Sequence, residues 1–260
     1  MNVEALLIPE RRAIAERHTI IKALVGSKLH GLNLEGTDDT DEMGVFIEPP
    51  EYVVGLRSLE NVIARTQPEG VPSGPGDVDL ALYSLRKFVR LALSGNPTIL
   101  LMFFVPEDKC SERRRIGREL QEMAPLFIAK TVAAPFLGYL TAQKQRLTGE
   151  RGGRALRKHL PEGMAQYDTK YAMHMLRLGF QGVEILETGT ITLPIPDPDR
   201  SYMMAVRRGE VDLGDVLTRC GMLEKRIEDL SHSSFLRDRP DQERIEEWMI
   251  RTYLRHEGWL

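Results

Sequence analysis

Cysteine is almost missing from this chain of 260 residues: Cys110 and Cys220 are the whole supply. Neither stands in a CxxC pair or beside a histidine cluster, which argues against a disulfide framework and against a structural zinc site. No apolar run approaches the roughly 20 residues that a membrane helix needs. The first residues, MNVEALLIPERRA, carry early acids in place of a long apolar core and do not read as a signal peptide. Strong charge is lacking too, since 35 Lys and Arg face 38 Asp and Glu for a net −3. That balance argues against a uniformly basic nucleic-acid binder but leaves room for local basic clusters. There is no GxGxxG fingerprint and no Walker A sequence, so hydride transfer and Walker-type ATP hydrolysis find no support. The expectation is a reduced, cytoplasmic protein with no membrane segment.

What is present is an ordinary globular composition, 42% hydrophobic and 28% charged, long enough for one large domain or two smaller ones. Pro9 to Glu16 reads as a short charged helix, and the β-branched run Thr19 to Val25 as a strand. A helical turn follows Ser27, and Val45-Phe46-Ile47 forms a strand that Pro49-Pro50 ends. After the Pro/Gly-rich loop Gln67 to Gly76, the stretch Asp77 to Tyr83 alternates acidic or small residues with Val78, Leu80 and Leu82. It predicts a strand with one buried face. Ser84 then suits the N-cap of the helix LRKFVRLALS. Beyond Cys110 helical periodicity dominates, over 111–123, 125–148, 168–188, 210–231 and 240–257, with a turn-rich stretch at 192–201. The natural division is an α/β domain over 1–108 and a helical domain over 109–260.

The most informative feature is Gly26-Ser27 followed, after eleven residues, by Asp39-Thr40-Asp41. A tight Gly-Ser turn offers backbone N–H groups and a hydroxyl to phosphate oxygens. Aspartates at i and i+2 of a strand point to one face and can share hard cations. The order of strand, Gly-Ser turn, paired acids and second strand suits a site for a polyphosphate with divalent metal ions.

These residues resemble the DNA polymerase β-type nucleotidyltransferase superfamily, whose signature is Gly-Ser, a variable spacer and Asp-x-Asp. The branch that this chain looks most like is the one of predicted nucleotidyltransferases associated with RNA repair. The matching pieces are GSKLHGLNLEGTDDTDEMGVF, DVDLALYSLRKFVRLALSGNP, GYLTAQKQRL and DTKYAMHMLRLGFQGVEIL, from about Val25 to Leu186. The resemblance implies an α/β (α+β) fold, a small mixed-sheet palm domain followed by a mainly helical domain that closes the cleft. It implies transfer of a nucleoside monophosphate from an NTP to an acceptor hydroxyl, with two Mg²⁺ ions, or Mn²⁺ in their place, and loss of pyrophosphate.

Such a site needs about three carboxylates on adjacent strands. Asp39 and Asp41 supply two, and Asp79, opposite Val78, Leu80 and Leu82, is the choice for the third, at the family's third acidic position. Asp77 has the same parity and competes with it, and an edge-strand Asp79 facing solvent is the alternative. Asp38 reads as a turn residue. Ser27 is expected on the β- or γ-phosphate, with Gly26 admitting close approach and Lys28 either neutralising the same phosphates or lying exposed. His30 reads as a helix-surface histidine rather than a base.

On the helix after Asp168, Lys170, His174, Arg177, Gln181 and Glu184 recur at spacings of 4, 3, 4 and 3 and share one face. That stripe faces either solvent or a polar cleft, and the cleft reading sets Lys170, His174 and Arg177 across from the aspartates on the triphosphate. Tyr139 and Gln143, near Lys144 and Arg146, either approach the base or acceptor or simply pack. The basic runs Arg113-Arg114-Arg115 and Arg151 to Lys158 suit RNA phosphates or a solvated face. An acid expected after Asn96-Pro97 is replaced by Leu100-Leu101. The leading functional expectation is transfer to an RNA end, with tRNA as one candidate. The alternatives are nucleotidylation of a protein hydroxyl, as in AMPylation, and an inactive nucleotide- or RNA-binding module.

Overall fold

The computed structural model describes residues 3–34, 36, 39–68, 70–71, 73–150 and 167–256. In chain order its elements are α1 (Val3–Arg17), β1 (Thr19–Val25), α2 (Gly26–His30), β2 (Thr40–Phe46), α3 (Pro50–Val53), β3 (Asn61–Arg65) and β4 (Val78–Ser84). There follow α4 (Leu85–Leu93), α5 (Pro97–Leu100), β5 (Cys110–Arg113), α6 (Arg115–Glu122), α7 (Ala124–Phe127) and α8 (Ala133–Thr148). The last are α9 (Thr169–Thr188), α10 (Asp199–Arg208), α11 (Leu213–Ser233) and α12 (Gln242–Arg255). The fold is mixed α/β, as expected.

The five strands form one sheet in the order β3-β4-β2-β1-β5. β2 and β4 run parallel, and the other pairs are antiparallel. Side chains alternate across a sheet, so the register decides which residues meet. Asp41 lies opposite Val25 on β1 and Asp79 on β4, and Asp79 lies opposite Arg65 on β3. The other face carries Phe46, Val62, Leu80 and Leu82, which cluster with Ala15 of α1, Tyr52 and Leu59 into an apolar core. Val62 and Leu80 therefore cannot rotate outward without exposing that core, and the acidic face is fixed by the buried one.

The chain divides into two clusters, Met1–Leu93 with Ile99–Phe127 and Asp241–Leu260, and Ser94–Thr98 with Ile128–Pro240. In the first, β5 completes the sheet beside β1, and Gly117 of α6 packs where a Cβ would meet the Ile20 carbonyl oxygen at 2.3 Å. α12 is latched to the same cluster by Tyr253, whose hydroxyl donates a short hydrogen bond to the buried Glu48 and accepts the Arg86 N–H at 3.2 Å. These contacts place 109–127 and 241–256 with the sheet, whereas the change in composition had set them with the helical part.

In the second cluster α9 packs against α8, α10 and α11. Its N-terminus is capped by Asp168, which accepts from the backbone N–H of Lys170 and Tyr171 at 3.0 and 3.1 Å. Gly179 and Gly182 permit the close approach of α11: an added Cβ would meet Leu223 at 2.8 Å and Ile227 at 2.7 Å.

Local expectations differ from the structure at several points. β1 matches its predicted span, and Ser84 does cap α4, accepting the Lys87 N–H at 3.2 Å. The helix expected over 111–123 begins as strand β5, because Cys110 to Arg113 finds the free edge of β1. Expected helix 125–148 breaks into α7 and α8, and α10 and β3 were not anticipated.

Candidate active site

β1 delivers the chain to Gly26, which takes φ 69, and α2 begins there. Only glycine adopts this left-handed conformation without cost, and space forbids a side chain as well. A Cβ on Gly26 would lie 2.0 Å from Asp41 Oδ2. The Gly-Ser turn and the second aspartate of the Asp-x-Asp pair are thus in direct apposition. Lys28, one residue beyond Ser27, donates from Nζ to Thr40 Oγ1 at 2.6 Å and ties α2 to the residue between the two aspartates.

Asp39, Asp41 and Asp79 each offer an oxygen to one cluster whose members lie within 4.8 Å of one another, and all three are half-buried. At such separations each pair of carboxylates repels by about 1 kcal/mol in water and about 3 kcal/mol at an effective dielectric constant near 20. Asp79 is anchored by its neighbours. Its Oδ2 accepts from Ser73 Oγ at 2.9 Å and pairs with Arg65 Nη2 at 3.1 Å. Its Oδ1 is buried with no hydrogen-bond partner among the described residues. A buried anionic oxygen without a partner is costly, and a set of three carboxylates is a hard, oxygen-only donor set. The residues therefore fit Mg²⁺ or Mn²⁺ and not a soft thiophilic metal.

β4 is not an edge strand, because β3 covers it, so Asp79 does not face open solvent. Asp77 is used differently. It accepts from Gly74 N at 2.9 Å and Thr66 Oγ1 at 3.1 Å, closing the loop between β3 and β4. The Gly74 N–H, with Gln67 and Thr66 beside it, holds the Asp77 carboxyl below its usual range. Arg65 was missed in the sequence: a single arginine ending NVIAR gives no signal until β3 is paired with β4.

His30 is buried at 2% exposure, which corrects the surface reading: α2 packs on β1 and β2 and turns this residue inward. Leu100 and Leu101, in place of the expected acid, are core residues. Arg113 bonds Gln121 at 2.8 Å and pairs with Glu107, Arg114 pairs with Glu112 and reaches the Arg17 carbonyl, and Arg115 pairs with Glu119. That basic run is largely engaged within the chain. Asp38 and the run 151–158 lie outside the described residues.

Within the helical cluster, the α9 stripe is graded. Lys170 is exposed, His174 half-buried and Gln181 buried, and Glu184 accepts the Thr192 N–H at 2.9 Å. Arg177 retains some surface, but crowding around its guanidinium lowers its pKa to about 10, so it remains a cation at neutral pH. Tyr139 is 42% exposed and accepts from Asn96 Nδ2 at 2.8 Å, while Lys144 pairs with Glu224 at 2.7 Å and Arg146 is exposed. The Gln143 side-chain oxygen is buried with no hydrogen-bond partner among the described residues.

The model of the RNA repair pathway DNA polymerase beta family (RlaP) matches residues 9–251. The chain belongs to this family. A curated relative is an "uncharacterized 38.9 kDa protein in nrdC-mobD intergenic region" of Enterobacteria phage T4, 26% identical over 138 residues. That match covers 52% of this chain and 40% of the phage protein, so the aligned part is less than half of the relative. Among solved structures, a nucleotidyltransferase-like protein from Exiguobacterium sibiricum 255-15 aligns with 11% identity and a TM-score of 0.29, over 99% of this chain and 86% of that one. Among the described residues no helix is long and apolar enough to cross a membrane.

Proposed function

We propose that this protein is a Mg²⁺-dependent nucleotidyltransferase that moves a nucleoside monophosphate from an NTP to a hydroxyl at an RNA end, such as that of tRNA, and releases pyrophosphate. The observation that carries the reading is the cluster of Asp39, Asp41 and Asp79 oxygens within 4.8 Å, touching the Gly26-Ser27 turn. Two Mg²⁺ ions, or Mn²⁺, held there by the three carboxylates would supply Lewis acidity to the attacking and leaving oxygens. Asp79 contributes Oδ1, its buried oxygen without a hydrogen-bond partner among the described residues, and Asp41 sets its carboxylate where a side chain on Gly26 would stand. Ser27 and the backbone at the start of α2 take a phosphate oxygen of the nucleotide, with Lys28 close enough to add positive charge. The reaction is set in the cytoplasm, where NTP and RNA are both available.

The test is incubation with each α-labelled NTP and Mg²⁺, first with total RNA and then with lysate protein. Label on RNA supports the reading. Label on protein replaces the RNA acceptor with a protein hydroxyl, and label on neither, at any NTP, leaves a binding module and rejects the enzyme. In the active case Lys28→Ala should raise the NTP KM with little change in kcat.

A further inference from the structure

Arg65 ends β3 and Ser73 lies within the connection from β3 to β4, and both reach the same oxygen of Asp79. Ser73 Oγ donates to Oδ2 at 2.9 Å, and Arg65 Nη2 stands 3.1 Å from it. The partner oxygen, Oδ1, is buried and accepts nothing among the described residues. Arg65 lies opposite Asp79 in the antiparallel register, so strand pairing puts its side chain on the same face as Asp79. Ser73 is held by a closed loop: Asp77 binds Gly74 N and Thr66 Oγ1, and Thr66 Oγ1 accepts the Val78 N–H at 3.0 Å.

We propose that Arg65 and Ser73 are positioning residues that occupy one oxygen of Asp79, so that this carboxylate presents only Oδ1 to a divalent cation, and that Arg65 weakens the site's hold on that cation. The inference rests on the nucleotidyltransferase reading above. Two consequences of one contact run in opposite directions. Arg65 fixes the rotation of the Asp79 carboxylate, which favours turnover by keeping ligand geometry constant. Its positive charge also stands well within a Debye length of any cation on Oδ1 and opposes it. An arginine with only a scaffolding role would lack this split, because loosening the scaffold lowers cation affinity and turnover together.

The experiment measures Mn²⁺ binding by electron paramagnetic resonance on the full-length protein without nucleotide, alongside NTP turnover and thermal unfolding. Arg65→Ala is expected to bind Mn²⁺ about tenfold more tightly, from removal of one opposing charge. Its kcat is expected to fall about tenfold or more, because the carboxylate gains a second ligating mode. Arg65→Lys keeps the charge and should hold Mn²⁺ affinity near wild type, yet restore turnover only in part, since an ammonium lacks the planar fork. Ser73→Ala should lower kcat without moving Mn²⁺ affinity. Arg65 is half-exposed at the end of an outer strand, and an unchanged unfolding temperature would confirm that the variants fold. Weaker Mn²⁺ binding in Arg65→Ala overturns the proposal in favour of scaffolding, and unchanged affinity and turnover reduce the pair to an idle surface contact. A wild-type protein that binds Mn²⁺ no better than its Asp39→Ala, Asp41→Ala and Asp79→Ala variants removes the carboxylate site itself, a result distinct from any failure of Arg65.

Discussion

Replacing Gly26 with alanine tests the geometry of the candidate site with a single methyl group. The new Cβ would lie 2.0 Å from Asp41 Oδ2, 2.8 Å from its Cγ and 3.0 Å from its Cβ. Real contacts keep at least 3.0 Å, so the oxygen must retreat by 1 Å or more. The backbone of Asp41 cannot take up that shift, because it is paired with Val25 on one side and Asp79 on the other. The carboxylate itself must swing, and it leaves the 4.8 Å cluster as it does so. A displacement of that size costs on the order of 100-fold in turnover. Alanine at φ 69 adds about 1–2 kcal/mol of backbone strain, which corresponds to a lowering of the melting temperature by roughly 2–8 °C. Gly70→Ala is the matched control, with φ +84 and nothing among the described residues within 4 Å of its would-be Cβ. It should show the strain alone, with turnover intact. The assay is NTP incorporation at saturating substrate with unfolding followed in parallel. If Gly26→Ala turns over like Gly70→Ala, Asp41 does not need the position it occupies, and the assignment of the site fails.

Asp79→Ala should abolish transfer while the protein stays folded, whereas Asp77→Ala should leave measurable transfer and loosen only the β3–β4 loop; the reverse pattern in the incorporation assay would make Asp77 the ligand. Burial, then the Glu48 carboxylate and the hydrogen bond to it, hold the Tyr253 phenol well above its ordinary value of 10. The stability it contributes is present below pH 10 and is lost as pH rises beyond that, when the unfolded chain ionises first. Unfolding measured from pH 8 to 11 should show this decline, and Tyr253→Phe should flatten it while costing about 1–3 kcal/mol at neutral pH. Asp168→Ala removes the acceptor for two backbone N–H groups of α9 and should cost about 1 kcal/mol, visible as a lower denaturation midpoint; no change would mean that the cap is supplied by other groups.

The short-range parts of this fold were legible because their signals are local. β1 is a β-branched run, Ser84 caps the helix that follows it, and Gly26-Ser27 with Asp39 and Asp41 carries its own chemistry in a few residues. The parts that were not legible depend on pairing across long separations. NVIAR is too short to declare itself, and CSER looks like the start of a helix until the free edge of β1 is available to it. The pattern of α12 is visible in the sequence, but its attachment through Tyr253 to Glu48, 205 residues away, is not. His30 was misread for a similar reason, since a five-residue helix has too few turns for its buried side to emerge as a period.

The choice between Asp77 and Asp79 shows where sequence reasoning stops. Both have the parity that puts them on the acidic face of β4, and alternation alone cannot separate them. What separates them is β3. Once it pairs with β4, the connection 66–77 has to close on itself, and Asp77 sits where the Gly74 N–H and Thr66 hydroxyl converge. Both of its oxygens are then engaged in holding the loop. Asp79, two residues further in, pairs with Asp41 in the parallel register and retains a buried oxygen that accepts nothing from the described residues. The same strand that was invisible in the sequence also brings Arg65 to the other oxygen. The identity of the third carboxylate is therefore a consequence of loop closure and strand order, and a variant that shortens the β3–β4 loop should disturb the site without touching any of the three aspartates.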